Sequence, residues 1–417
     1  MQNFISELKE RGMIAQITHE EDLSKFVSQP RVAYAGFDPT ADSLHVGHLI
    51  PLMMLARWQK FGHKAIALMG GATAMVGDPT GKSEMRQMIT PEEIARNIEK
   101  IRKQMALVLD LSDPKKGMIV NNADWIAPIN YLQMLREVGP HFSVNRMLAA
   151  DCFKSRLEKG LSFLEFNYMI LQSYDFLHLN KVENCSIQLG GDDQWSNMLS
   201  GVELVRRLNE RQQAFCITCP LLTTADGKKM GKTEKGAVWL DSEKTSPYEY
   251  FQFWRNLPDH LIQSCFHYFT FLSVAEIADL CREQGAALNG AKKRLAFEAT
   301  CLIHGEPKAR EAEQTTERLF SGGGIGAPED LSQLQNFDLK REQLLGGLKA
   351  IDLLAAASVV GSKGEGRRLI EQGGIAFGDI KITSPDVLVG EAHFHLGGDK
   401  MLIRKGKKSY FLVSLVS

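Results

Sequence analysis

Short β-rich runs alternate with amphipathic helical stretches through the first 245 residues, and no other feature of this chain restricts its fold as strongly. Residues 31–37, 64–69, 118–121, 186–189 and 215–222 read as strands, while 49–61, 91–109, 166–177 and 194–208 set apolar residues three and four apart, as helices do. A strand that reaches the next one only through a helix pairs with it in parallel. The expectation for this region is therefore an α/β layer structure, a parallel sheet covered by crossover helices.

From 246 to 320 the pattern turns mostly helical, with 274–281, 292–303 and 307–319 as candidate helices. Ser321-Gly322-Gly323-Gly324-Ile325-Gly326-Ala327-Pro328 then breaks every periodicity, because its four glycines and proline can hold neither a helix nor a central strand. Beyond it, 351–358 and 367–372 read as helices and 375–382 and 401–413 as strands, a small α/β module. The expected division is 1–245, a helical domain at 246–320, a linker at 321–350 and a terminal module at 351–417. A chain of 417 residues can bury the cores this requires.

Composition removes several function classes. The longest stretch free of Asp, Glu, Lys and Arg, 260–275, contains two histidines and a glutamine and is shorter than the roughly 18 apolar residues a membrane span needs. Glu7 and Lys9 interrupt the start before a secretory signal can form, so a cytoplasmic location is expected. With 49 basic and 50 acidic residues there is no global electrostatic footprint for nucleic acid, and any RNA contact has to be local. Seven cysteines, an odd number, suit reduced thiols; Cys216 and Cys219 form the only close pair, lack the second pair a zinc knuckle needs, and are expected to be buried structural residues.

Chemistry concentrates in a few segments. Tyr34 to His48 passes from a strand through a Pro-containing turn into a helix start, where unpaired backbone amides bind phosphate; His45 and His48 share one face, and Gly47 between them leaves room for a bulky ligand. Alone, such a histidine pair is as readily a capping or surface pair, and it lacks the acid of a zinc-binding helix. Gly77-Asp78-Pro79-Thr80-Gly81-Lys82-Ser83 approaches a P-loop but has three residues rather than four between its first glycine and Gly-Lys-Ser, so the Walker pattern fails; Lys82 and Arg86 still offer charge to a phosphate tail. Asp226 to Thr233 carries three lysines and two glycines, a cationic loop able to meet charge developing on a leaving pyrophosphate, or otherwise a solvated basic turn. Tyr168, Gln172 and Asp175 lie on one side of a helix at i, i+4 and i+7, and Gly190 to Gln194 joins a strand to a helix.

His45-Val46-Gly47-His48 followed by Lys229-Met230-Gly231-Lys232-Thr233 resembles the HIGH and KMSKS signatures of class I aminoacyl-tRNA synthetases, whose catalytic domain is Rossmann-like. The runs Gly36-Phe37-Asp38-Pro39-Thr40, Gly77-Asp78-Pro79-Thr80-Gly81, Gln188 to Trp195 and Lys244-Thr245-Ser246-Pro247-Tyr248 narrow the resemblance to the bacterial-type tyrosyl-tRNA synthetase family, over nearly the whole chain. The resemblance implies activation of tyrosine by ATP, accompanied by Mg²⁺ without a protein-held metal site, and transfer of the tyrosyl group to the terminal adenosine of tyrosine tRNA. By motif it assigns Tyr34 and Asp175 to the substrate hydroxyl, Asp78, Tyr168 and Gln172 to its ammonium, and Asn122 to the same pocket. Asp38, Gly47, Gly190, Asp193 and Gln194 fall to the adenylate, with Lys232 shared between adenylate and phosphates. Thr40, His45, His48, Lys82, Arg86, Lys229, Lys232 and Thr233 surround the phosphates. Gly231 and Thr233 depart from the serines of the general KMSKS form, and Ala35 and Pro51 stand where some members place polar residues.

The terminal module resembles an S-four-like RNA-binding fold. From residue 351 it has nine basic against seven acidic residues, so only clustering, at Lys363, Arg367, Arg368, Lys405, Lys407 and Lys408, supports a phosphate-binding face. The family is dimeric, which places an interface near 141–163. Three alternatives compete: a tryptophanyl-tRNA synthetase, a non-catalytic RNA-binding protein on the same fold, and a shorter nucleotidyltransferase.

Overall fold

The computed structural model describes residues 3–80, 89–210, 212–223, 232–233, 236–282, 285–320, 334–406 and 409–416. The chain divides into two compact units, one of Met1–Gly231, Val238–Asp241 and Leu257–Leu295, the other of Lys232–Ala237, Ser242–Asn256 and Ala296–Ser417.

In the first unit, Gln16–Ile17 (β1), Val32–Phe37 (β2), Lys64–Met69 (β3), Gly117–Asn121 (β4), Cys185–Gly191 (β5) and Phe215–Cys219 (β6) form one sheet in the order β1-β6-β5-β2-β3-β4. Every neighbouring pair is parallel except β1 with β6. The five expected strands are present; β1, two residues long, is too short to carry a period. β2 is the first parallel strand in the chain yet sits in the middle of the sheet, with β3 and β4 added on one side and β5 and β6 on the other. That reversal opens a crevice beyond the carboxyl ends of β2 and β5, the general ligand position in open α/β sheets.

Helices Phe163–Glu183 and Trp195–Leu208 cover one face, where Tyr34 and Ile66 pack with Phe176, Leu177, Leu204 and Val205. Helix Val46–Lys60 packs on β2, β3 and β5 and is buried almost all round, as a core helix must be when nearly every position is apolar. Helix Pro91–Met105 opens with Thr90 accepting from the Glu93 amide at 3.2 Å and Pro91 at the first helical position. Its buried amides steady the turn after β2: Asn97 donates to the Pro39 carbonyl at 3.0 Å, and Gln104 accepts from the Leu44 amide at 2.8 Å.

At the far end of Val46–Lys60, Arg57 is buried and donates to the carbonyl oxygens of His267, at 2.8 Å, and of Thr270, with the Glu7 carboxylate 3.4 Å away. Burial and the neighbouring Arg11 lower its pKa to about 9, Glu7 opposing them. Phe4 of the first helix meets Trp58 edge-on, centroids 4.8 Å apart. Residues 257–295, bonded to Arg57 through His267 and Thr270, belong to the first unit rather than forming a domain with the rest of 246–320.

In the second unit, Pro247–Arg255 packs on Glu306–Phe320, with Gln252 donating to Thr316 at 2.6 Å. A five-stranded sheet runs Ile380–Lys381, Ile375–Phe377, Lys400–Lys405, Ser409–Val416, Asn336–Lys340, antiparallel except for the last pair. The linker expected at 321–350 therefore extends too far. Asn336–Lys340 is an edge strand, and Leu339, Leu344 and Ala350 join the core around Phe377, Met401 and Val413. Asn-Phe-Asp-Leu-Lys does alternate polar and apolar, but with two apolar positions and no β-branched residue the pattern is too short to stand out beside the glycine-rich run. Residues 321–333, the glycine run included, lie outside the described residues.

Replacing Arg57 with Met should cost about 3 kcal/mol, because the His267 and Thr270 carbonyls and Glu7 all lose a buried partner. A urea midpoint equal to that of the unmodified protein would refute this bracing role.

Candidate active site

β2 ends at Phe37, and the chain turns through Asp38 to Leu44 before His45 caps the next helix. The cap is reciprocal: His45 Nδ1 accepts from the Gly47 amide at 3.0 Å, and His48 Nδ1 accepts from the His45 amide at 3.2 Å. The two rings stack with centroids 3.9 Å apart. Because each Nδ1 is an acceptor, each neutral ring carries its proton on Nε2, so the pair presents donors suited to phosphate oxygens. The segment is also pinned from 238–240, where the Val46 amide donates to the Val238 carbonyl at 3.0 Å and the Leu240 amide to the Leu44 carbonyl at 2.9 Å. Thr40, half-buried, donates its amide to the Asp38 carbonyl at 2.8 Å.

Asp38 starts a buried polar network. It accepts from Tyr168 Oη at 2.9 Å and Thr73 Oγ1 at 2.8 Å. Gly70 permits this approach, since a Cβ there would lie 2.0 Å from Asp38 Oδ1. Asn122, fully buried, donates to Thr73 at 3.1 Å and Asp175 at 3.0 Å and accepts from the Ala72 amide at 2.7 Å. The other Asp175 oxygen accepts from Trp125 Nε1 at 2.8 Å. Asp175 is 2% exposed, and burial raises its pKa to about 7, with the two donated bonds opposing and the charge of Asp38 adding.

Beside this carboxylate the Tyr34 hydroxyl is buried with no hydrogen-bond partner among the described residues, its pKa pushed up by burial and then by Asp175. Gln188, in register with Tyr34 on β5, and Gln172, three residues before Asp175, also have buried side-chain oxygens without partners. Orphaned polar atoms are costly unless a ligand completes them. An unpaired phenol beside an acceptor carboxylate is what a ligand hydroxyl would bridge.

A second cluster joins the other motif segments. Asp78 accepts from the Thr80 amide at 2.9 Å and from Gln194 Nε2 at 2.8 Å, while Asn197 reaches Gln194 at 3.2 Å and Thr80 at 3.4 Å. At Gly190 a Cβ would lie 2.8 Å from Met198 Sδ, so a side chain there would require Met198 to shift. Asp193 is half-buried in the turn before helix Trp195–Leu208. Thus Asp38, Asn122, Tyr168 and Asp175 are joined through Thr73 in one network, Tyr34 lies beside it unbonded, and Asp78 and Gln194 belong to a separate cluster. Lys82, Arg86, Lys229, Lys407 and Lys408 lie outside the described residues, and Lys232 and Thr233 are described only as a backbone strand paired with Gly236–Ala237.

On the terminal module Arg367 and Arg368 are exposed on helix Lys363–Glu371, and Lys363 pairs with Asp352 at 2.7 Å. Lys405 is turned inward, paired with Glu365 and donating to the Val359 carbonyl at 3.1 Å. Cys216 and Cys219 are buried, and burial pushes both thiols up to about 12, as befits inert core residues. Gly70 and Thr73, close together after β3, and Trp125, on the short helix Ala123–Ile126, are not legible as site residues because none stands in a motif segment; Gln188 heads the Gln188 to Trp195 run, but nothing in that run marks its side chain as a pocket group.

A family model described as class I tRNA synthetases (W and Y) matches residues 28–321, and one described as the tyrosine–tRNA ligase SYY-like C-terminal domain matches 334–413. Proteins named tyrosine–tRNA ligase from Clostridium beijerinckii, 51% identical over 98% of both chains, and Acetivibrio thermocellus, 50% identical over 100% of both, are similar throughout. The chain belongs to the class I tyrosine–tRNA ligase family. A C-terminally truncated mitochondrial tyrosyl-tRNA synthetase from Aspergillus nidulans superposes with TM-score 0.68 at 32% identity, covering 77% of this chain and 95% of that one. A tryptophanyl-tRNA synthetase from Encephalitozoon cuniculi, TM-score 0.55 at 13% identity over 74% of this chain and 87% of that one, shares the fold alone. The catalytic α/β layer, the helical region and the terminal module with its own sheet are those of this ligase family.

Asp175 sets a pH dependence. Its pKa in the fold, about 7, exceeds the ordinary 3.8, so its contribution to stability is full below pH 4 and is lost as pH rises to about 7. The loss amounts to ~4 kcal/mol without substrate. Relative to Asp175→Asn, the unmodified protein should lose stability between pH 4.5 and 7.5 in urea titrations; parallel curves would contradict the assignment.

Proposed function

We propose that this chain activates L-tyrosine with ATP to tyrosyl-adenylate and pyrophosphate, then transfers the tyrosyl group to the 3′-terminal adenosine of tyrosine tRNA. The observation that carries the choice of amino acid is the Tyr34 hydroxyl, buried and unpartnered next to the Asp175 carboxylate. The substrate phenol donates to Asp175 and accepts from Tyr34. Phenylalanine leaves the Tyr34 hydroxyl unpaired and gives the Asp175 carboxylate nothing beyond its Asn122 and Trp125 donors, so it is rejected by the cost of buried polar groups left short of a partner rather than by size. Asn122 and Trp125 hold the carboxylate in place.

Tyr168, Gln172 and Asp78 take the substrate ammonium, for which the unpaired Gln172 oxygen is a ready acceptor. Asp38, Gly47, Gly190, Asp193 and Gln194 line the adenylate at the sheet's reversal point. Thr40, His45, His48, Lys82, Arg86, Lys229, Lys232 and Thr233 meet the phosphates. The carboxylate of tyrosine attacks the α-phosphorus in line and pyrophosphate leaves, a step that needs positioning and charge stabilisation but no protein nucleophile. Mg²⁺ arrives with ATP and adds charge neutralisation on the leaving pyrophosphate.

The terminal module takes the tRNA backbone, with exposed Arg367 and Arg368 the best-placed cations and Lys405 a weaker one because it is already paired. The protein works as a homodimer. Tyr131, Leu132, Leu135, Val144, Leu157 and Phe163 are large, apolar and exposed within one stretch of chain, more than isolated surface residues would account for. It acts in the cytoplasm, where tRNA is charged; among the described residues no helix is long and apolar enough to cross a membrane.

ATP–pyrophosphate exchange measured across the amino acids, without tRNA, should be strong with tyrosine and near background with phenylalanine and tryptophan. No exchange from folded protein would overturn the proposal. Arg367→Ala combined with Arg368→Ala should leave exchange intact while raising the KM for tRNA about tenfold and flattening its salt dependence; unchanged charging kinetics would remove these residues from the RNA face.

A further inference from the structure

Helix Phe163–Glu183 carries Asp175 and, one turn further on, His178. The His178 imidazole lies flat against the indole of Trp125, centroids 4.4 Å apart with 12° between planes. That indole donates its Nε1–H to Asp175 at 2.8 Å. Trp125 belongs to a single helical turn, Ala123–Ile126, so its backbone alone restrains the ring weakly, whereas His178 stands on a 21-residue helix. A rigid element thus presents both the carboxylate and the flat surface that aligns the carboxylate's donor.

We propose that His178 is a positioning residue: by stacking on Trp125 it fixes the Trp125–Asp175 hydrogen bond, and through it the preference for a substrate that carries a phenolic hydroxyl. The inference rests on the reading of Tyr34 and Asp175 given above and names a group outside the pocket that tunes it. Among the described residues the Asp175 carboxylate has one hydrogen-bond donor on each oxygen, Asn122 on one and Trp125 on the other. Losing alignment of either lets the carboxylate rotate away from the direction in which the ligand hydroxyl must donate, at a site where low dielectric amplifies each hydrogen bond. Burial holds His178 below its ordinary pKa, which favours the neutral ring at physiological pH, so the stacked ring adds no positive charge beside this carboxylate. The other polar groups around Asp175 are Tyr34 and Asp38 from the sheet side and Tyr174 on its own helix.

The test compares the full-length protein with His178→Ala, His178→Phe and Trp125→Phe in ATP–pyrophosphate exchange, using tyrosine, phenylalanine and ATP as varied substrates. His178→Ala should raise the KM for tyrosine roughly fivefold to tenfold, with phenylalanine and ATP parameters nearly unchanged, the size expected for weakening one buried charge-assisted hydrogen bond. His178→Phe keeps a flat ring and should restore the tyrosine KM to within about twofold. Trp125→Phe should match His178→Ala, and combining the two should add little more. A purely structural histidine would lower stability and kcat for all substrates together; that pattern, an unchanged tyrosine KM in His178→Ala, or a failure of phenylalanine at 178 to rescue, overturns the inference. If His178→Ala does not fold, His178→Leu against His178→Phe asks the same question of a bulky side chain without a flat face, and equal tyrosine KM values overturn it. Absence of tyrosine-dependent exchange in the unmodified protein would instead overturn the proposed function on which the inference stands.

Discussion

Parallel pairing of β2 with both β3 and β5 is the constraint from which the rest of the first unit follows. A strand flanked on both sides has neither edge nor solvent, so its side chains are core on both faces, and Tyr34 is carried into the interior. Its carboxyl end, and that of β5, meet at the reversal of strand order. Asp38 after β2 and the Gly190–Gln194 segment at the end of β5 therefore reach the same crevice from opposite directions. The histidine-capped helix, the buttressing amides of Asn97 and Gln104 and the brace at Arg57 hold the elements around that crevice.

What the crevice contains is costly by the standards of a core. Asp38, Thr73, Asn122, Tyr168, Trp125 and Asp175 make a connected polar network, and the fold closes most of it by internal hydrogen bonds. Among the described residues it leaves Tyr34, Gln172 and Gln188 each with a buried oxygen lacking a partner, and it keeps a carboxylate where burial drives its pKa to about 7. Stability is given up at these positions, which is the usual mark of groups arranged for a ligand rather than for the fold. Preorganisation is the return: donors and acceptors are aimed before substrate arrives and need not reorganise during the reaction.

Legibility in the sequence followed the range of the interaction. The five long strands and their crossover helices were readable because a buried strand or an amphipathic helix writes its environment into its own neighbours along the chain. Asn336–Lys340 was not, since its place is set by hydrogen bonds to Ser409–Val416, far along the sequence. Residues 246–320 looked like one helical domain, yet 257–295 belong with the first unit and Pro247–Arg255 packs on Glu306–Phe320, a choice of partners that local periodicity does not encode. Lys405 stood in a basic cluster but spends its charge on Glu365, a partner on a separate helix.

The sequence by itself determined the α/β architecture, the family resemblance and the residue types of the site, because turn glycines, helix caps and motif spacings are local and each carries its own stereochemical reason. Only the tertiary structure decided that Tyr34 is the unpaired member beside Asp175, that Asn122 and Trp125 orient that carboxylate, and that Thr73 and Gly70 make the approach of Asp38 possible. Those are properties of distances between segments dozens of residues apart. They exist once the sheet has reversed its order and brought the carboxyl ends of β2 and β5 together, and a one-dimensional pattern has no term for them.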